Sequence, residues 1–201
     1  MEHKKRGKIR ERVLRVLLNN PEGSLTKYRV AKHTKSSFSW IHEYLSQLEE
    51  KHLVEGTRVI DYRRLVDEWV SIRLPPRRTD YSIQEPVKYL NESKLEYAAT
   101  TYRAEFQTQG YLFPSRTDIY IKPAEEEAWV NSLRGIGLRG KGNLRLLIDD
   151  EHVFYRTKIV ANLYIVSTPQ LIVDLLAEGG VCIEAAEMLL EKAVKPNVPV
   201  T

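Results

Sequence analysis

Three stretches of the chain carry side chains able to do chemistry. The first is SSFSWIHEYLSQLEEKHLV, from Ser36 to Val54. It sets the hydroxyls of Ser36, Ser37 and Ser39, the indole of Trp40, the imidazole of His42 and the amide of Gln47 beside an apolar stripe. Short hydroxyls at the start of a helix, with an amide further along, suit the reading of base edges in a DNA groove. The second stretch is RGIGLRGKGN, residues 134–143, whose glycines match G-x-G-x-x-G and nearly match G-x-x-x-x-G-K. The third is the acidic run Asp149-Asp150-Glu151, next to His152.

The last two lose most of their chemistry in context. A phosphate-cradling loop needs a strand before it and a helix after it, so that the helix N-terminus faces the anion. Here the helix-like EEEAWVNSL precedes and the strand-like NLRLLI follows, and Gly142 stands where Ser or Thr would hold magnesium. The loop therefore reads as mobile and basic, with Arg134, Arg139 and Lys141 offered to nucleic acid or an acidic partner. Adjacent carboxylates on a turn point different ways, so Asp149-Asp150-Glu151 reads as a hairpin turn. No G-x-S-x-G or H-E-x-x-H occurs, and His33, His42 and His52 lack metal spacing. Cys182 follows Gly179-Gly180 at a helix start, a position that lowers a thiol pKa, but no base accompanies it. These features predict no catalysis, no cofactor and no metal. An enzyme acting on nucleotides through 134–143 is the minor alternative.

The groove-reading face needs elements to hold it. Ile9, Val13, Val16 and Leu17 predict a first helix over 4–19, which Asn19-Asn20-Pro21-Glu22-Gly23 ends. A short second helix follows over 26–34, with Tyr28, Val30 and Ala31 as its apolar members. Lys35-Ser36-Ser37 is a polar turn in which either serine can cap the third helix. That helix places Phe38, Ile41, Leu45 and Leu48 in the core and leaves Trp40 beside the stripe. A strand, a turn at Gly56 and a second strand follow, then a helix over 62–73. This is the order of a winged helix-turn-helix. Lys27, Arg29, Lys32 and Lys35 on the flanking helix and Arg58 on the hairpin are placed to neutralise phosphates.

Charge agrees with that division. Residues 1–80 carry 18 Lys and Arg against 11 Asp and Glu, a net +7, whereas 81–201 carry 13 against 16, a net −3. A basic first part beside an acidic second part suggests a polyanion binder joined to something else. Leu74-Pro75-Pro76-Arg77-Arg78 reads as a linker. The second part alternates element types: helices near 85–90, 101–108 and 125–133, strands at 117–122, 143–148 and 158–166, and helices over 170–178 and 183–194. The fold class expected is α+β: a winged helix-turn-helix domain over 1–74, a linker over 75–82 and a small mixed α/β domain over 83–201. No apolar run of about 18 residues exists to span a membrane. MEHKKRGKIRERV has no apolar core or small-residue cleavage site, so it does not read as a secretory signal. One cysteine excludes an internal disulfide. The reducing cytoplasm is the expected compartment.

Beyond these patterns, LEYAATTYRAEFQTQGYLFPSRTDIYI, NLRLLIDDEHVFY and LYIVSTPQLIVDLLAEGGVCIEAAEMLLEK resemble the abortive-infection type IV antitoxins, over roughly 10–190. The resemblance implies a winged helix that binds double-stranded DNA at inverted repeats and represses its own promoter. It also implies a C-terminal domain that neutralises a nucleotidyltransferase-like toxin and supports full DNA binding. Asp174 then matches a family position; read by itself it is a helix residue bonding a neighbouring loop. Family members often carry Ala-Leu-Thr-Gly where this chain has Tyr97-Ala98-Ala99-Thr100. The alternative is a stand-alone regulator, with no toxin, whose second domain senses a ligand or a protein. No heptad seam is present, so the chain is expected to act as a monomer or as a dimer that meets on DNA.

Overall fold

A computed structural model describes residues 2–194, with side chains described from residue 7. The fold is mixed α+β. Its contacts divide it into two units: residues 2–74 grouped with 186–194, and residues 75–185.

The first unit opens with α1 (Glu2–Leu18), which buries Val13, Leu14, Val16, Leu17 and Leu18. Its exposed carbonyls are satisfied by side-chain amides: Asn19 Nδ2 donates to the Arg15 carbonyl at 2.8 Å and Asn20 Nδ2 to that of Val16 at 2.7 Å. This is why two asparagines end the helix. Next come α2 (Lys27–Thr34), α3 (Phe38–Glu50), the short antiparallel pair β1 (Val54–Glu55) and β2 (Arg58–Val59), and α4 (Tyr62–Ile72). Asp61 caps α4 by accepting from the Arg64 N–H at 2.9 Å. Trp69 of α4 is fully buried and donates its indole N–H to the buried Glu11 carboxylate at 3.3 Å, while the Arg15 guanidinium lies 5.0 Å from the ring centroid. Glu11 also accepts from Lys8 and from the Leu74 amide. Its charge is thus buried with partners rather than alone.

The second unit begins earlier than a linker would allow. Residues 75–82, expected to be a linker, contain β3 (Arg77–Ser82), which pairs over five residues with a later strand. Pro75 and Pro76 mark the entry to that strand, not a free spacer. The elements that follow are α5 (Pro86–Glu92), β4 (Ala98–Thr100), α6 (Thr101–Gln109), β5 (Thr117–Ile121), α7 (Glu126–Leu133), β6 (Leu138–Arg139), β7 (Leu144–Ile148), β8 (Lys158–Val160), β9 (Leu163–Ile165) and α8 (Thr168–Glu178). The expected strand over 158–166 is a hairpin: Ala161 and Asn162, at φ 48° and 64°, form the two-residue turn between β8 and β9. The last helix, α9 (Cys182–Val194), starts in this unit, and its residues from 186 on group with the first. There Arg63 pairs with Glu187. Of the expected domain 83–201, residues 186–194 thus group with the first unit, and 195–201 lie outside the described residues.

Seven strands form one mixed sheet in the order β6-β3-β7-β5-β4-β9-β8. The central strand, β5, is buried along its whole length. It runs parallel to β7 and antiparallel to β4. Because side chains alternate across a strand, Asp118 and Tyr120 share one face. Both are buried, and both find partners on the helices packed there. Thr101 of α6 donates to Asp118, and the Tyr120 hydroxyl donates to Asp174 of α8 at 2.9 Å. Thr101 holds φ at +47°, a left-handed conformation that a β-branched residue rarely adopts.

Candidate functional site

Helices α2 and α3 meet through three residues. Thr26 caps α2, accepting from the Arg29 N–H at 3.2 Å. Thr34 ends it inside the core, its hydroxyl donating to the Val30 carbonyl at 2.9 Å, while Arg12 reaches across to the Thr34 carbonyl at 3.0 Å. Lys35 then takes a left-handed conformation, φ 53°, which reverses the chain. The Ser36 N–H returns to the Ala31 carbonyl at 3.0 Å. Of the two serines, Ser37 is the cap, with its hydroxyl 3.4 Å from the Trp40 N–H. The turn is fixed from both sides, so the first residues of α3 project in a defined direction.

The two faces of α3 separate cleanly, with one exchange. Ile41, Leu45 and Leu48 are buried as expected, but Phe38 is 50% exposed. Tyr44 is buried as well, and burial drives its hydroxyl well above its ordinary range. Phe38 lies in the first turn of α3. Trp40 is half-buried and lies against Tyr44, ring centroids 5.2 Å apart, on the flank of the helix. Phe38, Ser39, His42, Glu43, Ser46, Gln47 and Glu50 line one shallow open groove along the outer face. Ser39, His42 and Gln47 are exposed there, as a reading face requires. The Phe38 and His42 rings stack at 6.2 Å.

Cations flank this face. Arg29, Lys32, Lys35 and Arg58 are exposed and make no ion pair among the described residues. Lys27 differs: its ammonium lies 3.8 Å from Glu49, which also accepts the Gly56 N–H at 2.7 Å. The hairpin is thereby tied to α3, and Thr57 bonds the Leu25 carbonyl at 2.5 Å. Gly23 must be glycine for the same closeness, since a Cβ there would stand 2.8 Å from that of Arg58. Tyr28, expected in the core of α2, is 69% exposed beside these cations. Its apolar ring had placed it inside on pattern alone. Only its one-turn spacing to Lys32 signals the outward face.

In the second unit Arg134, Arg139 and Lys141 are exposed. Their loop is not a free one: Leu138–Arg139 pairs with Ser82 and Tyr81 as β6. Two of its glycines serve close approach. A Cβ on Gly142 would fall 2.0 Å from the Tyr81 carbonyl oxygen, and one on Gly137 would fall 2.7 Å from Ile83. Of the G-x-G-x-x-G glycines only Gly137 serves close approach; Gly135 and Gly140 instead hold positive φ, at 87° and 143°. Asp174, expected at a partner or DNA contact, is 2% exposed. Its carboxylate accepts from Thr100 at 2.7 Å, Tyr120 at 2.9 Å and Gln170 at 2.9 Å, so it holds α8 to the sheet and presents nothing outward. Asp150 caps a short 3-10 helix, Glu151–Phe154, by accepting from the His152 N–H at 2.8 Å. The acidic run is therefore a helix start, where a hairpin turn was expected.

Sequence reasoning missed a chain of charges on the polar face of the sheet. Arg116 bonds both Asp118 and Glu178, and Arg145 bonds Asp80 at 2.8 Å and approaches Asp118 at 4.0 Å. Arg-x-Asp at 116–118 was the available signal. Among the described residues no group of three or more His, Cys, Asp or Glu is placed to hold a metal ion, and no helix is long and apolar enough to cross a membrane. No family model, curated protein or solved structure matches the chain.

Proposed function

We propose that the chain is a sequence-specific, non-enzymatic DNA-binding regulator, with residues 2–74 acting as a winged helix-turn-helix and α3 as its recognition helix. The observation that carries this reading is the outer face of α3. Hydroxyl, imidazole and amide groups lie exposed along one groove, behind a fixed turn, with Arg29, Lys32, Lys35 and Arg58 free beside it. Polar groups at the start of a helix, flanked by cations, suit base edges and phosphates respectively. The tied-down hairpin contributes Arg58 and little reach.

Duplex binding by the full chain tests the proposal. Four phosphates neutralised give a slope of roughly −3.6 in log K against log salt. Lys35→Ala weakens binding to all duplexes alike, and Ser39→Ala with His42→Ala narrows the gap between the best site and an unrelated one. Equal binding of a selected site and an unrelated duplex would sink the specificity.

The second unit we read as the partner-binding part, directed at a nucleotidyltransferase-like toxin in keeping with the resemblance, so that the chain acts as an antitoxin and autorepressor. Phe106, Tyr111, Phe113, Val181 and Ile183 are exposed there, which supports contact with a protein. These exposed side chains favour equally a regulator that senses a protein with no toxin. Co-expression with a neighbouring nucleotidyltransferase-like reading frame separates the two: rescue of growth supports the antitoxin, and an absent or harmless neighbour supports the plain regulator.

A further inference from the structure

We infer that Phe38 is a specificity-determining residue that reads the C5-methyl group of a pyrimidine in the major groove. The inference rests on the reading of α3 as a recognition helix. Helical spacing puts Phe38 in line with Ile41, Leu45 and Leu48, yet those three are at most 1% exposed and Phe38 is 50% exposed. The buried face of α3 is made by Ile41, Tyr44, Leu45 and Leu48, without Phe38. A half-exposed phenyl ring forgoes burial free energy, so its position is unfavourable unless something apolar covers it.

The surroundings narrow what that cover is. Phe38 is the first residue of α3, directly after the Ser37 cap, and the N-terminal residues of a recognition helix come nearest the bases. Its companions in the groove are Ser39, His42, Glu43, Ser46, Gln47 and Glu50, so Phe38 is the apolar group of that face. Trp40 does not compete, since it lies against Tyr44 on the flank. Stacking on His42 at 6.2 Å and an interplanar angle of 26° restricts the phenyl ring and presents its free side outward. The major groove offers one apolar feature, the C5-methyl of thymine, which 5-methylcytosine shares. A polar face with one held aromatic at its leading end matches a site with a methylated pyrimidine at the corresponding position.

The experiment changes the DNA before it changes the protein. The best duplex is selected with the full chain from a randomised pool, and each thymine is replaced singly by deoxyuridine, which removes only the methyl. The expected result is one thymine per half-site whose replacement weakens binding about fourfold, the equivalent of about 0.8 kcal/mol for one buried methyl-sized group. Phe38→Ala binds the thymine and uracil duplexes equally at that position and keeps the remaining base preferences. In a parallel arm, each cytosine is replaced by 5-methylcytosine. A fourfold gain there, with no thymine sensitive, assigns the methyl to cytosine and supports the inference equally. Sequence-selective binding with no methyl-sensitive position overturns the inference and leaves the recognition-helix reading standing. Failure to discriminate among duplexes overturns both. Methyl sensitivity that Phe38→Ala retains, in a protein whose circular dichroism is unchanged, overturns the role of Phe38.

Discussion

Removing the Asp174 carboxylate tests whether the second unit is held by its buried polar network. Asp174, Thr100, Tyr120 and Gln170 are each at most 2% exposed, and Asp174 accepts from the other three at 2.7–2.9 Å. Asp174→Ala leaves at least three donors without their acceptor. A buried donor left unpaired costs about 1–3 kcal/mol, so the simple sum is roughly 3–9 kcal/mol. A water admitted to the vacated space recovers part of it, which sets the expectation at about 3–5 kcal/mol. That is a large share of the roughly 5–15 kcal/mol of an ordinary domain. Urea unfolding is the assay. Trp129 serves as the fluorescent reporter of residues 75–185, because Trp40 and Trp69 lie in the other unit. Tyr120→Phe alone is expected to cost about 1–2 kcal/mol. In the Asp174→Ala background it is expected to cost less than it does alone, because the bond it removes is already broken. Simple additivity of the two substitutions, or a loss below about 1 kcal/mol for Asp174→Ala, would refute the reasoning.

Other outcomes follow from single features. Gly142→Ala is expected to unpair β6 from β3, since its Cβ would meet the Tyr81 backbone at 2.0 Å; amide exchange at Tyr81 and Ser82 measures it. Ser37→Ala should destabilise the start of α3 by about 0.5–1 kcal/mol, at the low end for a cap because the bond is 3.4 Å long, as read by urea midpoints. The hydrogen bond from Arg145 holds the Asp80 carboxyl below its ordinary value of 3.8. A carboxyl lowered on folding stabilises above its unfolded value and loses that contribution as pH falls through the folded one. Thermal melts from pH 6 to 2 should therefore fall below about pH 4, and less steeply for Asp80→Asn. Cys182 is fully buried, and burial raises its thiol above the ordinary 9.0. It is expected to react with a disulfide reagent only on unfolding.

Helix order and caps were legible because each has a local cause. Asn19-Asn20-Pro21 and the turn at 35–37 act within a few residues of themselves. Strands β4 and β6 were missed because three and two residues are too few to establish a period. The hairpin of β8 and β9 was merged into one run because Ala161 and Asn162 carry weaker turn signals than glycine. Phe38 and Tyr28 were placed inside by their hydrophobicity, yet burial depends on whether another element lies above, which no local pattern states. For Asp174 the contact role came from the resemblance alone; the partners that bury it, Thr100 and Tyr120, lie 74 and 54 positions away, beyond any local pattern. Gly142 had no local signal, because the backbone it lies against, that of Tyr81 and Ser82, is far back in sequence.

The two ends of the seven-stranded sheet bear on how the chain behaves in a concentrated solution. A sheet edge is a template for another chain, and long apolar edges recruit copies into aggregates. Here one end is β6, two residues between Gly137 and Gly140, and the other is β8, three residues closed by the turn at Ala161 and Asn162. Arg139 at one end is exposed and adds charge to a strand already brief, whereas Lys158 at the other is half-buried and donates to Thr168. The glycine loop thus bears on colloidal behaviour by holding its edge strand to two residues, which limits the ladder a second chain could form beside the exposed Leu138.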